Sequence, residues 1–415
     1  MGNPVKYLLW IFLLVSCNNL SAQTFCTETF SDLVRTLRVF PSNRWDMPPV
    51  VDLQRGEQIE INFDVLGAAS EYYTYRILHC NADWTPSVLI ESEYLDGLQN
   101  YPLDDYALSF NTRMDYVNYR LLIPNEKVRL KVSGNYVVQI LNDSRPILNA
   151  CFSVIEPQTT IKMEVLPITG KGANTKYQAV SFEVDYGSEI RFPAQDLKVY
   201  VFQNNRFDNA ASLVKPLNIQ NKRSVYNHSP ELTFEAGNEY RVFEMITTRY
   251  AGLGIERVEF HAPYYHSLLW PDGLRSNRSY FFGEDINGRV FIRTVNAEDS
   301  DIEADYQFVH FYIPCEIPFL ENIYILSEAF NNILDARSQM EYSVADKGYV
   351  KAALLKEGYY NYLYVSRKNT SSPASAALIE GNYYQTENEY RVMIYARPSG
   401  WRYDRLIGMQ IVQYK

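Results

Sequence analysis

Stretches that alternate apolar and polar residues recur at intervals of about ten positions along this chain, and they restrict it to folds built from strands. "EQIEINFDVL" (57–66), "YTYRILHC" (73–80), "YRLLIPN" (119–125), "VRLKVSG" (128–134) and "NYVVQILND" (135–143) are alternating or β-branched runs bounded by Gly, Asn, Asp or Pro. Only "FSDLVRTLRVF" (30–40) hints at a short helix. After "VIEPQTT" (154–160) the pattern restarts with "IKMEVLPI", "YQAVSFEVDY" and "DLKVYVFQ". The acidic "NAEDSDIEADY" (296–306) marks a second boundary, followed by "FVHFYI", "NIYIL", "YVKAALL", "YYNYLYV" and "EYRVMIYA". Short strands with no long helices between them argue for antiparallel pairing. The expected fold is therefore all-β, with tandem immunoglobulin-like antiparallel β-sandwich domains over 23–157, 158–300 and 301–415. A repeated "NEYRV" at 238–242 and 388–392 has unlike flanks, "TFEAG" and "YYQTE", so it reads as convergent strand chemistry rather than duplication.

The first 25 residues, "MGNPVKYLLWIFLLVSCNNLSAQTF", read as an export signal. Lys6 supplies the positive start, and Tyr7 to Ser16 form an apolar core too short for a spanning helix. Cleavage before Gln23 gives a signal peptide of 1–22; alternatively "LVSC" (14–17) is a lipoprotein box with Cys17 acylated. No later run is long enough to cross a bilayer, so no direct membrane insertion is expected. A net charge of −10 disfavours nucleic acid as a partner. Cleavage leaves Cys26, Cys80, Cys151 and Cys315, among which the sequence assigns no pairing.

"RILHCNADWTPS" (76–87) places His79, Cys80, Asp83 and Trp84 close together, the density expected of a chemical site. Because it closes a strand, His79 and Cys80 should face opposite sides of the sheet and cannot easily share a metal. His261 and His266, in the Pro-containing and irregular "HAPYYHSLLW", read as packed or hydrogen-bonded rather than as ligands. There is no H-E-x-x-H pattern and no G-x-S-x-G elbow, and the glycines of "YAGLGIE" do not open a helix. "EDINGR" (284–289) reads as an Asn-Gly turn rather than a calcium loop. No catalytic residue, metal or cofactor is expected.

"YRILHCNADWTPSVLIESEYLDGLQNYPLDDYALSFNT", "YRLLIPNEKVRLKVSGNYVVQI", "ELTFEAGNEYRVFEMITTRYAGLGIE", "PYYHSLLWPDG", "EDINGRVFIR", "LLKEGYYNYLYV" and "RPSGWRYDRLIG" together resemble the plug protein family of the bacterial type IX secretion system, found in Bacteroidota. The resemblance runs in order along nearly all of the chain after the signal; "VFIR" and Cys151 depart from it. It implies a non-enzymatic protein of the periplasm, peripherally associated with the outer membrane. Its partner would be the large translocon β-barrel, whose periplasmic opening it seals when no substrate passes. The aromatic content, Tyr 34 and Phe 21, suits a broad contact surface. Asn81, Asp83, Trp84 and Asp96, on loops at one end of the first domain, are the candidate partner contacts, with bracing of the loop by Asp83 and Trp84 as the competing reading. The last domain also resembles glycogen-binding-type carbohydrate modules. On the alternative reading the protein is an exported glycan binder, with Tyr360, Tyr362 and Tyr364 on one strand face as a sugar platform or, equally, as core.

Overall fold

A computed structural model describes residues 24–370 and 372–415. The expected signal peptide 1–22 and Cys17 lie outside the described residues. Strands dominate the described residues, and each of the three α-helices among them spans a single turn of four residues. Among the described residues no helix is long and apolar enough to cross a membrane.

The strand Ile59–Leu66 explains the first core. Its odd residues Ile59, Ile61, Phe63 and Val65 enter the largest apolar cluster, as period-two geometry requires. It pairs with Val34–Pro41 on one side and Tyr116–Ile123 on the other, both antiparallel. The facing sheet contributes Thr74–Cys80, Gly134–Asn142 and Arg145–Ile155 in antiparallel register. The expected helix at 30–40 is instead the strand Val34–Pro41. A register shift between Arg35 and Arg38, with Thr36 at φ 50°, leaves Val34, Leu37 and Pro41 buried at a spacing that imitates a helix.

A second core lines up Val180, Phe182 and Val184 of the strictly alternating strand Tyr177–Asp185 against Leu197, Val199 and Val201. Tyr390, Val392, Ile394, Ala396 and Ile407 complete it. The strands Asn388–Ala396 and Arg405–Tyr414 therefore pack with the middle of the chain, Asn388–Ala396 pairing along Leu197–Gln203. A third core is built from Phe243, Met245, Ile255, Leu269, Val309, Phe311, Ile313, Tyr360 and Tyr364. The cores thus do not follow the expected boundary at 300. The third begins near 241, lies within the sequence of the second, and returns the last two strands to it. Alternation reveals that a strand has a buried face but not which sheet supplies the other half of the core. Parallel pairing of Ile155 with Leu406 joins the first and second cores into one ten-stranded sheet.

Candidate partner-binding surface

The stretch at 76–87 is a joint. His79 and Cys80 do face opposite sides of the sheet. His79 is buried among the rings of Tyr136, Tyr403 and Tyr94, with centroids 5.0, 5.2 and 5.8 Å away. Its Nε2 lies 3.2 Å from the Ser133 carbonyl, which can only accept, so Nε2 carries the proton and Nδ1 accepts from Ser87 Oγ at 2.8 Å. Burial pushes the ring down to about 4, so it is neutral. Gly134 allows this approach: a Cβ there would sit 2.6 Å from Nε2. Cys80 packs in a cluster with Phe25, Val137 and Cys151, bordered by Leu78 and Trp84, and burial pushes its thiol up to about 12. Cys26, Cys80, Cys151 and Cys315 are all free thiols.

The turn that follows is fastened to the second core. Asn81 Oδ1 accepts from Arg397, and Ala82 N–H donates to Asp404 Oδ2 at 3.0 Å. Asp404 is fully buried and is held by Lys198 at 2.9 Å and Arg397 at 2.8 Å. Asp83 Oδ1 accepts from the Thr85 backbone and hydroxyl at 3.1 and 2.6 Å, closing its own turn. Trp84 adopts φ 63° and is half-buried. Asn81, Asp83 and Trp84 therefore share one turn. Asp96 does not: it lies exposed on the short strand Leu95–Asp96, paired with Arg129–Leu130.

Between them runs a loop tied at both ends to the strand Thr74–Cys80, by Ser87 N–H to the His79 carbonyl and by the Gln99 amide to both backbone groups of Ile77. It exposes Val88, Ile90 and Leu98 at 64%, 65% and 69%, an apolar rim with Asp83 and Asp96 beside it. These three residues were missed in the sequence because "PSVLIESEYLDGLQN" has no period that separates a buried face from an open one.

The first and third cores are clamped by a buried polar network. The even residues of Ile59–Leu66 point away from the first core, and Asp64 receives Lys356 Nζ and Tyr306 Oη, both at 2.6 Å. Lys356 Nζ also donates to the Asp301 carbonyl at 2.6 Å and lies 4.1 Å from the Tyr116 ring centre. Asp301 in turn takes Arg38 at 2.6 Å and Asn62 at 3.0 Å. The acidic run at 296–306, expected to mark a domain boundary, contributes to this interface, with Asp301 on the short helix Ser300–Glu303. Burial pulls the Lys356 ammonium below its ordinary value even beside Asp64.

Tyr360, Tyr362 and Tyr364 are buried. The hydroxyls of Tyr362 and Tyr364 donate to Asp272 Oδ2 at 2.8 and 2.7 Å, so none of the three rings is open to a sugar. Among the described residues no group of three or more ligating side chains could hold a metal ion.

A model of the first domain of type 9 secretion system plug proteins matches residues 34–156, ending where the first core ends. A crystal structure of a hypothetical protein from Parabacteroides merdae is 43% identical, covers 94% of this chain and 100% of its own, and superposes with a TM-score of 0.93. A Pseudomonas fluorescens alkylpurine DNA glycosylase bound to DNA (18% identity, 29% of each chain, TM-score 0.18) carries no argument. Nor does the C-terminal domain of a Streptococcus pyogenes antigen I/II-family protein (7% identity, 92% of this chain and 100% of that one, TM-score 0.17). No curated protein matches. The Parabacteroides structure shares the fold over nearly the whole chain, and the match over residues 34–156 supports a member of the type 9 secretion system plug protein family.

Proposed function

We propose that this chain is a non-enzymatic periplasmic plug that binds and seals the periplasmic opening of the type IX secretion system's outer-membrane translocon barrel while no substrate is passing. Membership of the plug family is the observation that carries the reading. The physical need is clear, since a barrel wide enough for folded cargo is a water-filled channel unless something occupies it. A body whose first and second cores share one sheet, and whose first and third are joined by a buried ion network, presents a pre-formed surface, so binding orders few side chains. Export by the leader at 1–22 would deliver it to the periplasm.

The rim from Asn81 to Leu98 is the proposed contact. Val88, Ile90 and Leu98 supply apolar area and Asp83 and Asp96 the polar edge, while Asn81 and Trp84 hold the loop in place. The glycan reading loses its platform, because the tyrosines it relies on are core residues. The test is capture of partners by the tagged protein from a detergent extract of outer membranes. Recovery of a very large barrel protein supports the plug. Recovery of none, with retention on soluble polysaccharide, overturns it.

A further inference from the structure

Three of the chain's five histidines converge on one sheet face of the third core. The segment containing His261 and His266 is not irregular: Ile255–His261 and Tyr264–Leu269 form a hairpin. Its register places Glu259 opposite His266 and His261 opposite Tyr264. The second strand then runs parallel to Tyr306–Pro314, with His266 opposite Phe308 and Leu268 opposite His310. Val258, Ser267 and Val309 face the core, so Glu259, His261, His266, Phe308 and His310 share the outer face.

There, His266 Nδ1 and His310 Nε2 meet at 2.8 Å, with ring centres 5.1 Å apart and planes within 30°. Two imidazoles joined nitrogen to nitrogen use one N–H and one lone pair, so the bond survives one added proton and not two. The surroundings do not accommodate the second. On the first hairpin strand, Glu259 is engaged by Arg257 at 2.7 Å and by His261 at 2.9 Å. On the second, Tyr264 packs edge-on against Phe308, which itself lies flat on His266 at 5.2 Å. The next strand, Gly348–Lys356, sets Val350, Ala352 and Leu354 opposite Tyr312, His310 and Phe308, and its Lys356 is committed to Asp64. Arg113, from a loop of the first domain, lies against the hairpin's other face, 4.7 and 5.3 Å from the rings of Phe260 and Tyr265. Burial holds both His266 and His310 below the ordinary histidine value.

We propose that the His266–His310 pair is an acid-released latch: once both rings are protonated, the hairpin Ile255–Leu269 loosens from the strand Tyr306–Pro314. The hairpin's parallel register with that strand spans three residue pairs, and the latch adds to the buried Ser267–Gln307 hydrogen bond and the packing of Ile255 and Leu269 that also fasten it. Loosening also frees the aromatic end that Arg113 clasps, which makes the hairpin's contact with the first core pH-dependent.

Hydrogen exchange on the full mature chain tests this without reference to any partner. Between about pH 7.5 and about pH 5, amide protection in 255–269, corrected for intrinsic rates, should fall at least about tenfold relative to the strand Ile59–Leu66. His310→Phe, which keeps a ring but cannot be protonated, should remove that acid step, and His266→Phe should do the same if the first variant folds poorly. Equal protection at both pH values in the wild type, or an undiminished acid step in both variants, overturns the latch.

Discussion

Lys356→Met breaks the clamp between the first and third cores at its most buried point. The Lys356 and Asp64 side chains are 0% and 1% exposed, with their charged atoms 2.6 Å apart. Attraction at that distance is roughly 6 kcal/mol at an effective dielectric of about 20. Desolvating each ion costs several kcal/mol, so the intact pair contributes little net stability. Removing only the cation is different, because it strands the Asp64 carboxylate in a dry interface with Tyr306 and Asn118 as its remaining donors. The expected cost is about 3–5 kcal/mol, read from denaturant midpoints by tryptophan fluorescence. Adding Asp64→Asn removes the stranded charge and keeps an oxygen that accepts from Asn118. The double variant should therefore recover at least about 2 kcal/mol of the sum of the single losses. Additivity within about 0.5 kcal/mol would refute the claim that the two residues act as a pair across this interface.

Other consequences follow from the same structure. Gly134→Ala, at φ 132° with the new Cβ 2.6 Å from His79 Nε2 and 3.0 Å from the Asp404 carbonyl, should cost more than about 2 kcal/mol; an unchanged unfolding midpoint contradicts the packing described around His79. His79 is held at about 4, below its ordinary 6.5, so its contribution is complete above about pH 6.5 and disappears as pH falls through about 4. Wild-type stability should accordingly drop by up to about 3 kcal/mol more than that of His79→Gln over this window, and parallel pH profiles refute it. Tyr362→Phe and Tyr364→Phe should each cost about 1 kcal/mol, by removing a hydrogen bond to Asp272, without altering retention on polysaccharide; a stable variant with weakened retention would revive the glycan reading. Val88→Ser with Leu98→Ser should weaken capture of the barrel at least about tenfold while leaving the unfolding midpoint within about 0.5 kcal/mol, and undiminished capture places the contact elsewhere.

Much of this was legible in the sequence, and the failures have physical causes. Period-two alternation located Ile59–Leu66 and Tyr177–Asp185, because each sends one face into a core. The same alternation does not reveal the partner of the other face: Asp64 and Asn62 are covered by Lys356 and Asp301, more than 200 residues away. A bulge at Thr36 turned a strand's burial spacing into a helix's. The return of Asn388–Ala396 to Leu197–Gln203 was invisible because long-range pairing leaves no local mark. At the stretch 76–87 the alternation argument separated His79 from Cys80, but the tie from Ala82 to Asp404 needed the fold. The three histidines were dispersed in sequence, and the hairpin turning at Ala262–Pro263 brought His261 and His266 together.

Leakage through the outer membrane tests the sealing claim most directly. If this protein occupies the translocon's periplasmic mouth, deleting it leaves open barrels, and a large hydrophilic probe or antibiotic excluded by ordinary porins should enter the periplasm. Deleting the barrel as well should restore exclusion, since no channel remains, and neither a glycan binder nor an enzyme predicts that suppression. Unchanged uptake in the single deletion strain, with the barrel present at its normal level, would contradict the account.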